Sequence, residues 1–102
     1  MDLPRGFDAV LHPPARLQIA AVLANVDTAE FAKLRALVGV SDSVLSKHLS
    51  ALAESGYVAL SKATSDGRQR TWASLTSSGR KAFKAHVAAL QRIVGGAALA
   101  AE

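Results

Sequence analysis

Hydrophobic residues recur along this chain first at helical spacing, then in alternation, then at helical spacing again. Phe7, Val10 and Leu11 stand at i, i+3 and i+4 and predict a short helix over 6–12. Pro13-Pro14 follow, which the first turn of a new helix tolerates because its N–H groups have no partner to lose. ARLQIAAVLAN, residues 15–25, then offers Leu17, Ile19, Val22 and Leu23 for burial. A second helix is expected over 29–39, with Thr28 as its cap, Glu30 in its electropositive first turn and Gly39 at its end. Its apolar positions are Phe31, Leu34 and Leu37 or Val38.

The stretch SDSVLSKHLSALAESGYV, residues 41–58, is marked at both ends. Ser41 is a cap for a helix over 42–55, and Val40 before it can pack on Leu45 as a hydrophobic staple. Gly56 stands where a left-handed residue closes a helix, with Tyr57 placed to pack back on Leu52. Strands are predicted over 57–63 and 69–75 around Asp66-Gly67, two residues that tolerate the positive φ of a tight hairpin turn. With that loop, Ser65 faces Arg68, Ala63 faces Arg70, Leu60 faces Ala73 and Val58 faces Leu75. Val58, Leu60, Ala73 and Leu75 are then expected on the helices, and Ala59, Ser61, Ala63, Arg70 and Trp72 on the outward face. Thr76 caps a final helix over 77–95 with a stripe of Phe83, Val87, Leu90 and Val94, and GGAALAAE reads as a frayed tail.

Composition narrows what such a chain can do. It has 102 residues, half of them hydrophobic, which suits one domain, 1–102. With no cysteine, disulfides and zinc–thiolate sites are excluded. No apolar run approaches the roughly 18 residues of a membrane span, and no signal-peptide core opens the chain, so a cytoplasmic location is expected. The net charge of +4 is unevenly placed: between Ser61 and Arg92 the chain has seven Lys and Arg residues against one acid, Asp66. That surplus favours a polyanionic partner.

The order helix, helix, short turn, helix, hairpin, helix is that of a winged helix-turn-helix, a mainly α fold with a two-stranded wing. HPPARLQIAAVL, FAKLRALVGVSDSVLSKHLSALAESGYV and RQRTWASLTSSGRKAF resemble the short stand-alone MarR/ArsR-like winged-helix transcriptional regulators over about residues 12–90. The resemblance implies a dimeric DNA-binding protein, with helix 42–55 in the major groove and the wing, 64–70, at the minor groove. It also implies regulation by occupying an operator, as a repressor.

The residues agree on their own terms. On a helical wheel Leu45, Leu49 and Leu52 cluster on one side, with Ser43, Lys47 and Ser50 opposite and Val44 beside them. A helix that enters a groove needs such a face, free of bulk and carrying groups that reach base edges. The candidate DNA contacts are therefore Ser41, Asp42, Ser43, Val44, Ser46, Lys47 and Ser50 on the helix, Lys62, Arg68 and Arg70 on the wing, and Arg16. Arg16 is open between phosphate and an internal ion pair. Phe7, Val10, Leu11, Phe83, Val87, Leu90 and Val94 exceed what a small helical core needs and are expected at a dimer interface.

His48 is expected to be packed or hydrogen-bonded, and neither it, His12 nor His86 has a partner at metal-ligand spacing. No metal, cofactor or catalytic constellation is expected, and a small-molecule effector has no motif behind it. The alternative is a winged-helix module turned to a protein partner, which Arg68 and Arg70 count against.

Overall fold

The computed structural model describes residues 2–101. Four helices, α1 (Pro14–Ala24), α2 (Phe31–Val38), α3 (Asp42–Glu54) and α4 (Ser77–Ala101), surround strands β1 (Ala29–Glu30), β2 (Val58–Ser65) and β3 (Arg68–Leu75). The sheet is antiparallel in the order β1-β3-β2. Leu11, Ile19, Leu23, Leu34, Leu45, Leu49 and Leu52 fill the core and are almost completely excluded from solvent, with Val58, Ala73 and Leu75 closing it from the sheet.

Local chemistry explains the best-defined boundaries. Ser41 is extended and its Oγ accepts the Val44 N–H, satisfying one of the free donors that begin α3. At the other end the Tyr57 N–H donates to the Leu52 carbonyl and the Gly56 N–H to Ala53, the paired bonds of a Schellman closure. Gly56 adopts φ 79°, a conformation without steric penalty only for glycine. Asp66 and Gly67 both have positive φ, and the hairpin register is Ser65↔Arg68, Ala63↔Arg70, Leu60↔Ala73 and Val58↔Leu75, as the turn chemistry predicts. Thr76 caps α4 by accepting the Gly79 N–H.

Five expectations are corrected. Residues 6–12 form turns, not a helix: Asp8 Oδ1 accepts the N–H groups of Val10 and Leu11, a local bond that competes with helical pairing. Thr28 does not cap α2; its hydroxyl donates to the Ala73 carbonyl, while Ala29 and Glu30 pair with Ala73 and Trp72 of β3. The edge of β3 has backbone groups to satisfy, and residues 29–30 lie against it, so α2 begins only at Phe31. Leu60 is 43% exposed, because the hairpin extends past the helices after Val58 and leaves nothing to cover it. Leu11, expected at a dimer surface, has no exposed area and belongs to the protomer's own core. The helical backbone of α4 also continues from Gly95 through Ala101, where a frayed tail was expected, and Glu102 lies outside the described residues.

Candidate nucleic-acid interface

α3 is sharply two-sided. Leu45, Leu49 and Leu52 point into the core, while Ser43, Ser46, Lys47 and Ser50 are exposed and Val44 is 39% exposed between them. The division follows from the spacing: leucines at i, i+4 and i+7 share one side, and the positions between them carry small or flexible side chains. Ser41 is occupied at the cap and lies 3.3 Å, oxygen to oxygen, from Ser43. Asp42 sits in the first turn of α3, where a negative charge suits the helix dipole, and receives the Arg35 guanidinium at 2.6 Å. This bridge pairs the one acid in the first turn of α3 with a cation from α2.

The wing approaches that end of the helix. Asp42 at the start of α3, Phe31 and Ala32 at the start of α2, and Arg68, Gln69 and Thr71 on β3 line one open cleft. Arg68 follows the turn and is exposed; Lys62 is exposed on β2. Among the described residues the ion pairs are Arg35–Asp42 and Arg70–Glu30, so Lys47, Lys62 and Arg68 belong to neither.

Arg70 and Arg16 are held inside the fold. Arg70 Nη1 donates to Glu30 Oε1 at 2.7 Å, fastening β3 to the N-terminus of α2. Among the described residues Arg16 forms no ion pair: its Nε donates to His48 Nδ1 at 3.1 Å and its Nη1 to the Val10 carbonyl at 3.2 Å. That geometry needs a neutral imidazole, and the pKa of His48 lies below the ordinary value, through burial first and then the charges of Arg16 and Lys47.

Behind α3 the structure assembles a polar junction that no sequence spacing marks. The Asp8 N–H donates to His86 Nδ1 at 2.9 Å, and Tyr57 Oη donates to Asp8 Oδ2 at 2.5 Å. His86 is fully buried on α4, among the rings of Phe7 and His12. Of the expected interface residues, Val94 is 67% exposed, Val87 and Leu90 are half-buried, and Phe83 and Val10 pack partly on the core. Phe7 is half-buried against His12 and His86. Trp72, expected outward, is half-buried and shares a groove with Val22, Val26 and Leu37.

Comparison with known proteins gives these features a context. A family model described as a winged helix DNA-binding domain matches residues 15–94. An uncharacterised protein of Methanocaldococcus jannaschii is 32% identical over 78 residues, covering 76% of this chain and 85% of that protein. The structure of a transcriptional regulator homologue from Pyrococcus horikoshii superposes with a TM-score of 0.80 at 26% identity, over 85% of this chain and 86% of the other. ZitR of Lactococcus lactis, a zinc-responsive MarR family member, shares the fold with a TM-score of 0.64 at 24% identity, over 94% of this chain and 66% of its own.

Proposed function

This chain belongs to the winged helix DNA-binding domain family, and from that premise we propose that it is a sequence-specific transcriptional regulator that acts as a dimeric repressor. The observation that carries the reading is the outward face of α3. Ser43, Val44, Lys47 and Ser50 are exposed and unobstructed, beside a wing whose Lys62 and Arg68 lie outside the ion pairs. In the major groove, serine hydroxyls pair with several base edges, Val44 meets a thymine methyl, and Lys47 donates to guanine or phosphate. Arg68 enters the minor groove at the turn, where the potential is most negative if the groove is narrow.

The candidate residues then divide by role. Ser43, Val44, Ser46, Lys47 and Ser50 face bases or phosphates, and Lys62 and Arg68 serve the wing. Ser41, Asp42, Arg70 and Arg16 hold that surface in shape through the bonds described above. Residues 1–102 act as one winged helix-turn-helix domain in the cytoplasm. Val87, Leu90 and Val94 of α4, with Phe7, Val10 and Phe83 at its base, pair two copies. The two α3 helices then meet half-sites about one DNA turn, ~34 Å, apart.

The test is fluorescence anisotropy with the DNA flanking the chain's own gene and a scrambled duplex of equal length, across a salt series. Tighter binding to the flanking DNA, weakening steeply with salt, is the expected result. Equal salt-sensitive binding to both duplexes means DNA binding with an operator elsewhere. No binding to either, even at low salt, overturns the reading in favour of a protein-interaction module.

A further inference from the structure

Residues 5–13, with the first turn of α1 through Arg16, run as a strap from α4 to α3, and two imidazoles fasten it. On α4, His86 Nδ1 accepts the Asp8 N–H at 2.9 Å; on α3, His48 Nδ1 accepts Arg16 Nε at 3.1 Å. An Nδ1 that accepts must be unprotonated, so in both rings a neutral imidazole carries its hydrogen on Nε2. His86 Nε2 is buried and has no hydrogen-bond partner among the described residues. As an N–H it is not available to a metal, and the His86 ring stands edge-on to two others, with its centroid 4.9 Å from that of Phe7 and 5.4 Å from that of His12.

Protonation would turn both acceptors into donors. At His86 the new Nδ1–H would face the N–H of Asp8; at His48 it would face the Arg16 guanidinium. The groups acting on His86 are His12 and Asp8 of the strap, with the Tyr57 hydroxyl reaching it through Asp8. The Asp8 carboxylate attracts an imidazolium, but it is already bonded to Tyr57 Oη and to the N–H groups of Val10 and Leu11. Those acting on His48 are Arg16 from α1 and Lys47 on its own helix, both cationic. Burial, the largest cause in each ring, also disfavours the charged form.

We propose that residues 5–16 are a proton-loosened strap: its bonds to neutral His86 and His48 are lost together in acid, while Leu11 stays in the core. The remaining bonds of the strap to α4 are few: Arg92 Nη2 donates to the Arg5 carbonyl at 2.6 Å, and Gly6 packs so closely that a Cβ would lie 2.8 Å from the Ala85 oxygen. Because Asp8 joins α4 to Tyr57, the residue that closes α3, loss of these bonds loosens the recognition helix from α4. Acid then weakens operator binding. This last consequence rests on the function proposed above; loosening of the strap does not.

The test follows amide hydrogen exchange and imidazole ¹⁵N shifts by NMR in the full chain without DNA. The pH is lowered from about 7.5 to about 5, across the ordinary histidine value of about 6.5. Expected are Nε2–H tautomers for both rings at neutral pH. Protection at Asp8 and through the strap, corrected for intrinsic exchange, should fall about tenfold on acidification while β2 and β3 keep theirs. His86→Gln, whose side-chain oxygen accepts without titrating, keeps the α4 end protected in acid.

If that variant does not fold, the parent chain decides alone. An Nδ1–H tautomer at neutral pH, unchanged strap protection, or loss of strap and hairpin protection together overturns the proposal. Loosening in acid with unchanged DNA affinity upholds the strap and removes its link to the operator.

Discussion

The wing tip stands clear of the core and the N-terminal strap is tied to it through Leu11, and the two treat polar groups in opposite ways. In the strap, Asp8 accepts from Val10, Leu11 and Tyr57 while its own N–H is taken by His86, and Arg16 is bonded to His48 and Val10. At the wing, Lys62 and Arg68 are exposed and lie outside both ion pairs. Charged groups bonded inward define shape, and those left open are free for a polyanion. The contrast recurs within one strand: Arg68 is exposed, whereas Arg70, two residues on, is fixed to Glu30.

Substitutions in each region test this contrast. The largest effect is expected in the leucine side of α3 that both regions rest on: Leu49→Ala should cost about 3 kcal/mol in urea unfolding. Asp8→Ala should cost about 2 kcal/mol, because it strands the Tyr57 hydroxyl and two backbone N–H groups at once. A loss near zero would mean that the strap is not structural. Lys47→Ala should leave stability within about 0.5 kcal/mol yet reduce discrimination between operator and scrambled DNA by about 1.5 kcal/mol. If Lys47 binds phosphate instead, both duplexes should weaken equally.

The two arginines give the closest test. Arg68→Ala should lower the salt slope of DNA binding by about one while sparing the fold. Arg70→Ala should destabilise by about 1 kcal/mol, a value kept small because the Arg70–Glu30 pair retains some solvent contact. Equal salt slopes for the two variants would erase the division between them.

The smallest expected effect is on pH dependence. His48 and His86 have pKa values lowered in the folded chain, by burial first. The unfolded chain therefore binds more protons in that range. Their stabilisation is complete above about pH 6.5 and is lost as pH falls from there through their lower folded values. Thermal unfolding across this range should show the decline, and a His48→Gln, His86→Gln double variant should flatten it.

What the sequence determined by itself was whatever depends on neighbours a few residues apart. The cap at Ser41, the closure at Gly56 and the leucine and serine sides of α3 follow from local bonds and helical period. The register of the wing follows from a two-residue turn whose positive φ values leave one pairing in phase. Tertiary structure alone decided the rest. β1 exists because β3 offers it an edge, and Leu60 is exposed because the hairpin outruns the helices. Arg70 finds Glu30 across 40 residues, Arg16 finds His48 across 32, and Asp8 finds His86 across 78. No period or short motif links such positions, since the chain first has to bring α4 beside its own N-terminus and β3 beside α2. Whether a given arginine is bonded within the fold, as Arg70 and Arg16 are, or left exposed, as Arg68 is, was settled there.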